Sequence, residues 1–180
     1  MLDWSLTDKS AAAYREVEVT EKQHPEWMGK NRKLTPEEVK EFLAEPVVAR
    51  IATIDENGVP YVTPVWQEWD GEAFWMVVRE RAAWIAHIKK NPNVGVSCAH
   101  DSGTYRRIVA QGKAEIVSGP APMQGECLGV ANRTSVRYLG ERGPEYLVPT
   151  YDRPRYLIKI VPTKMITWDG VEWAKKYTEK

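Results

Sequence analysis

The chain has 180 residues, 25 Lys and Arg against 25 Asp and Glu, and 43% hydrophobic residues. That length supports one domain with a sizeable core, and a formal net charge of zero excludes the broad basic field of a nucleic-acid binder. No apolar run approaches the ~20 residues of a membrane span, so neither nucleic acid nor membrane is expected as a partner. Cys98 and Cys127 have no CxxC spacing, and the N-terminus lacks the basic and apolar segments of a signal peptide. The expectation is a cytoplasmic protein with free thiols. The unusual feature is eight Trp against two Phe, because an indole N–H wants a partner and is costly as core filler.

Residues 1–33 are polar and mixed in charge and read as an N-terminal extension, with 34–180 as the main domain. TPEEVKEFLAEP then starts a helix: Thr35 is a candidate N-cap, Pro36 takes the first turn, Glu38 completes a capping box and Pro46 stops the run. VVARIATI (47–54), VPYVTPVWQEW (59–69) and EAFWMVV (72–78) read as three antiparallel strands joined by DENG and DG turns. Pro60 and Pro64 have no N–H to donate, so the second strand belongs at an edge or against a ligand. AAWIAHIKKNP reads as a short helix, NVGVSCA (93–99) and TYRRIVAQGKAEIV (104–117) as strands, and SGPAP as a break in the sheet. Residues 122–141 read as a helix with Leu128, Val136 and Leu139 as its apolar positions. RYLIKIVP (155–162) is a last strand, and TKMITWDGVEW resembles a hairpin tip. This order predicts a mainly β, α+β fold: an antiparallel barrel with flanking helices.

Three clusters carry chemistry. Arg79 and Arg81 end an apolar strand and share a face just before a helix, which suits a phosphate unless solvent simply takes both. Arg106 and Arg107, beside Tyr105, are adjacent on a strand and point to opposite faces, or else guard an exposed edge. Trp168 and Trp173 bracket a Trp-Asp-Gly turn that either packs on the body or covers a ring system. His87, expected on the surface, and His100 show no metal-ligand spacing with Cys98, so no metal is expected. No GxSxG, P-loop or GxGxxG sequence occurs, and no catalytic acid or base stands out.

ARIATIDENGVPYVTPVW, FWMVVRERAAWIAHIKKNPNVGVS and YRRIVAQGKAEIV together resemble the pyridoxamine 5′-phosphate oxidase-like family of FMN-binding split β-barrels, over roughly residues 34–173. The resemblance implies a Greek-key type split barrel and a homodimer with two cofactor sites at its seam. Thr63, Pro64, Val65 and Trp66 would line the cofactor, Val78, Arg79, Arg81 and Trp84 would form its phosphate end, Arg107 (with Arg106 beside it) would reach across from the other subunit, and Trp168 and Trp173 would cover it. The oxidases' Ser-Arg-Lys run is Ala82, Ala83 and Trp84 here, so the phosphate lysine is a tryptophan. Their C-terminal Arg-x-His is absent from WDGVEWAKKY. The expectation is an FMN-dependent oxidoreductase passing electrons to a small-molecule acceptor. The alternatives are a deazaflavin-dependent reductase and a non-catalytic flavin, haem or tetrapyrrole binder.

Overall fold

The computed structural model describes residues 32–100 and 105–170. In chain order the elements are α1 (Pro36–Ala44), β1 (Ala49–Ile54), β2 (Pro60–Val65), β3 (Glu68–Trp69), β4 (Phe74–Arg79), α2 (Ala83–Lys90), β5 (Asn93–Ala99), β6 (Arg107–Ala121), α3 (Gly125–Leu139), two 3-10 turns (Gly143–Tyr146 and Val148–Thr150) and β7 (Arg155–Trp168). The N-terminal extension, apart from Arg32 and Lys33, and Trp173 lie outside the described residues.

Helix α1 starts as its sequence demands. The Thr35 hydroxyl accepts from the Glu38 N–H at 3.2 Å, and the Glu38 carboxylate accepts from the Thr35 N–H at 2.9 Å. Val39, Phe42 and Leu43 are its buried face.

All strands pair antiparallel in one sheet of order β2-β1-β5-β6-β7-β4-β3. Its two edge strands are consecutive in the chain, separated only by Trp66 and Gln67. Two residues reach roughly 10 Å, so the sheet must curl until its edges nearly meet. That is a split barrel, of α+β class. Alternate residues of β1 and β4 (Ala49, Ile51, Phe74, Met76, Val78) fill its interior with Phe42, Trp84, Ile108 and Ile158. A second, smaller core of Met123, Cys127, Val130, Ala131, Leu147 and Leu157 lies under α3, against Trp75 and Val77 on the other face of β4. The prolines find the edge expected of them, since β2 pairs only with β1.

Four expectations are corrected. Segment 59–69 is two strands, because Trp66 and Gln67 carry the chain from one sheet edge to the other. SGPAP does not end the sheet: β6 continues to Ala121, with register shifts between Ile116 and Ser118 and between Ser118 and Ala121 accommodating the proline. Thr163–Trp168 is the second half of β7 and pairs with β6, so it is no hairpin tip. Helix α3 buries Cys127, Val130, Ala131 and Thr134, leaving Val136 and Leu139 exposed. The small residues win that face because they let the helix approach the sheet closely.

Candidate functional site

A cavity of about 490 Å³ lies between the outer face of the barrel, α3 and the first 3-10 turn. Pro64, Val65 and Trp66 form one wall, at the split. Val77 and Arg79 come from the outward face of β4, Ala131 and Thr134 from α3, Tyr146 and Leu147 from the turn, and Arg155 from the start of β7.

The split is closed by buried and half-buried polar groups that hydrogen-bond to backbone carbonyls. Gln67 is fully buried and donates to the Leu43 carbonyl at 3.0 Å, while Arg137 donates to the Gln67 carbonyl at 2.8 Å. The Tyr138 hydroxyl donates to the Val47 carbonyl at 2.8 Å, and burial raises its pKa. Its ring stacks on Trp66 with centroids 5.0 Å apart and planes 5° apart. The indole is therefore a fixed wall of the cavity, supported from behind.

The other end is basic. Register places Arg79 of β4 opposite Arg155 of β7. Arg79 donates to the Tyr146 hydroxyl at 3.3 Å, and Arg155 to the Thr150 hydroxyl at 3.2 Å. Arg155 is only 9% exposed, and its pKa is lowered first by burial and then by the neighbouring charges of Arg79 and Arg153. A second cavity of about 200 Å³ adjoins here, lined by Arg79, Glu80, Arg81, Arg153, Pro154 and Arg155.

Of the residues singled out in the sequence, Pro64, Val65, Trp66 and Arg79 meet at the large cavity, and Arg81 lines the small one. Thr63 is half-buried on β2 beside them. Val78 and Trp84 point elsewhere. Both are in the barrel core, at 5% and 3% exposure, because β4 alternates inward at Val78 and α2 turns Trp84 beneath it. Neither Val78 nor Trp84, expected at the phosphate end, lines the large cavity or the small one.

Arg106, Arg107 and Trp168 sit at the far end of β7. Arg107 is opposite Trp168 in register, its guanidinium 6.0 Å from the indole ring, and Arg106 lies 3.6 Å from Asp169. A strand of 14 residues spans on the order of 40 Å, so within one chain these three do not reach the cavity. Arg153, Arg155, Tyr138 and Tyr146 were not singled out from sequence. Only strand register and the α3 connection bring them in.

Neither His87 nor His100 lines the large cavity. His87, expected on the surface, is half-buried with Nδ1 2.9 Å from the Thr53 hydroxyl. His100 Nε2 lies 2.7 Å from Glu45. Burial raises both thiols, that of Cys98 to about 12, so neither is a ready nucleophile. Among the described residues no group of three or more His, Cys, Asp or Glu is placed to hold a metal ion, and no helix is long and apolar enough to cross a membrane.

A solved structure named F420 reductase is 28% identical to this chain, covering 70% of it and 94% of its own length with a TM-score of 0.56. The conserved hypothetical protein Rv2991 from Mycobacterium tuberculosis is 24% identical over 78% of this chain and 90% of its own, with a TM-score of 0.62. HutZ, the heme storage protein from Vibrio cholerae, is 21% identical over 79% of this chain and 100% of its own, with a TM-score of 0.58. The last two likenesses show the fold alone. A search of curated protein sequences found no match. The sequence profile of the family described as pyridoxamine 5′-phosphate oxidase matches residues 35–169, the whole of the curled sheet and its helices, and the chain belongs to that family.

Proposed function

We propose that this protein is an oxidoreductase working through a flavin-type coenzyme held against the 490 Å³ cavity, with a small planar molecule as electron acceptor. The observation that carries this reading is the cavity's two-sided chemistry: a fixed indole wall at the split and arginines at the other end. A flat apolar ring bearing an anionic tail needs that pair of surfaces, and the volume lies within the roughly 300–1,000 Å³ of ligand sites. Such a coenzyme, when bound, supplies hydride acceptance and donation, which requires no protein acid or base.

The chain's own residues have the tasks of orientation and electrostatics. Trp66, backed by Tyr138, excludes water from one side of the site. Arg79, held by Tyr146, places positive charge where an anionic group arrives. Arg106, Arg107 and Trp168 belong, in this reading, to the site of a second copy, so that a homodimer carries two sites at its seam. The exposed edge strand β2 and the turn before it, with Val59 and Val62 at 56% and 61% exposure, offer the surface for that contact.

Two observations favour a deazaflavin over FMN. The position of the oxidases' phosphate lysine is Trp84, buried in the core with nothing to offer a phosphate. The F420 reductase, named for a 5-deazaflavin coenzyme, is 28% identical over 70% of the chain. FMN is the alternative, with Arg79 and Arg81 in the lysine's place.

The test is a visible spectrum of the purified protein followed by titration with the deazaflavin coenzyme and with FMN. Saturable binding of either, weakened at least tenfold by Trp66→Ala, is the expected outcome. A Soret band with no response to either coenzyme overturns the reading in favour of a haem binder.

A further inference from the structure

Among the described residues lining the large cavity there is no Asp, Glu, His, Lys or Cys. The polar side chains there are Trp66, Arg79, Thr134, Tyr146 and Arg155. Guanidinium groups do not give up their protons, and an indole N–H only donates hydrogen bonds. The Thr134 hydroxyl is spent on the Val130 and Ala131 carbonyls of its own helix, at 2.8 and 3.1 Å. Tyr146 is different. Arg79 donates to its oxygen at 3.3 Å, so the oxygen is the acceptor in that contact and its own O–H is left over. Among the described residues that hydrogen has no acceptor. The neighbouring Tyr138, by contrast, commits its hydroxyl proton to the Val47 carbonyl at 2.8 Å.

The phenol also stands between the two chemistries of the cavity. Its ring lies 6.0 Å from the Trp66 ring, tilted by 52°, and its oxygen accepts from Arg79, so it bridges the indole wall and the basic end. Its 3-10 turn is seated against α3, where a Cβ at Gly143 would collide with the Ser135 carbonyl oxygen, and Leu147 beside it is buried. We propose that Tyr146 is a catalytic acid for a planar conjugated carbonyl acceptor, giving its proton to the carbonyl oxygen as hydride arrives. This rests on the function proposed above, in which a reduced flavin-type coenzyme is the hydride donor. Hydride delivery itself needs no acid, but the acceptor that takes it gains a negative charge. A new C–H bond forms at the carbon β to the carbonyl, the C=C π pair moves toward the carbonyl carbon, and the C=O π pair passes to oxygen. That oxygen takes the phenol proton, so the acceptor leaves as an enol and Tyr146 is left as phenolate. Arg79 faces that negative charge until solvent returns a proton. An acceptor with no oxygen at this point gets no such help, which sets the substrate class.

The first readout needs no coenzyme. Chromone, a planar bicyclic enone, and naphthalene, a bicyclic ring system with no oxygen, are titrated against the full-length protein by quenching of tryptophan fluorescence. Tyr146→Phe is expected to weaken chromone binding roughly tenfold, the worth of one hydrogen bond, and to leave naphthalene binding unchanged. Tyr146 is exposed at the turn, so its Phe variant keeps the fold. The second readout uses protein loaded with the reduced coenzyme. Tyr146→Phe should lower kcat for chromone reduction at least about 100-fold, while coenzyme affinity stays at the wild-type value. Equal loss of chromone and naphthalene binding, a Phe variant with kcat close to wild type, or a wild type that reduces no chromone overturns the proposal. A protein that binds neither coenzyme overturns the proposed function and the proton transfer with it. A chromone effect that persists there still marks Tyr146 as a carbonyl-binding residue, so the two failures are told apart.

Discussion

The two ends of β7 carry arginines in opposite circumstances. At the C-terminal end Arg32 and Arg106 converge on Asp169, at 3.1 and 3.6 Å, and Arg32 also grips Glu38 with two bonds of 2.7 Å. At the N-terminal end Arg155 faces Arg79, and among the described residues no carboxylate pairs with either. The residue type is the same at both ends of the strand, so what differs is whether the chain completes the circuit itself. Elsewhere Arg133 pairs with both Glu68 and Glu126, and Arg142 with Glu145. Against that pattern, the four arginines at this sheet end have no acid partner among the described residues and concentrate positive charge there.

The largest expected effect comes from disturbing the backbone that positions Arg155. Gly119 has φ +102°, and a Cβ there would collide with the Arg155 carbonyl oxygen and lie 2.9 Å from Tyr156 Cα. Gly119→Ala is expected to cost about 2–4 kcal/mol in urea unfolding, since both the left-handed backbone and the neighbouring strand resist a methyl group. Gly58 has a similar φ of +80° but nothing within 4 Å, so Gly58→Ala should cost about 1 kcal/mol. Equal costs would mean that conformation alone, rather than the close approach to β7, constrains Gly119.

A smaller effect, of opposite sign, tests the unclosed charge itself. Arg79→Glu places a carboxylate opposite Arg155 and makes the N-terminal end of β7 resemble the other. In urea unfolding this variant should be more stable than wild type by about 1 kcal/mol. A variant less stable than wild type would show that the two guanidinium groups do not repel in the folded state.

These contrasts mark how far the sequence could be read. The capping box of Thr35 and Glu38, the edge prolines of β2 and the alternation of β1 and β4 are local signals with local causes, and each produced the element expected of it. The arginine pair was half visible. Arg79 and Arg81 stood out because they end an apolar run, whereas Arg153 and Arg155 lie in an ordinary polar stretch. Nothing local says that β7 will set Arg155 beside a residue 76 positions earlier (155 − 79). Trp84 misled for the complementary reason. Its place in the family pattern pointed to the ligand, but the face of α2 is decided by what the barrel must bury. The α3 face was misjudged because large apolar residues drew attention, while close packing selected Cys127, Ala131 and Thr134.

The closed end of β7 gives the smallest effect and shows what a completed circuit does. The Arg32 guanidinium, followed by the Thr35 N–H, holds the Glu38 carboxyl down at about 2, from an ordinary value of 4.5. A carboxylate held lower in the folded than in the unfolded chain stabilises fully above the unfolded value and loses that contribution as pH falls toward the folded one. Wild type should therefore lose stability between pH 4.5 and about pH 2 faster than Glu38→Gln, which lacks the titrating group. The difference should shrink in high salt, because the pair is exposed to solvent. Urea midpoints across that window check it, and parallel curves would mean that water satisfies Glu38 as well as Arg32 does. Among the described residues the opposite end of β7 holds no arginine–carboxylate pair to lose in acid. A pH dependence that survives Glu38→Gln unchanged must therefore come from carboxylates elsewhere in the fold.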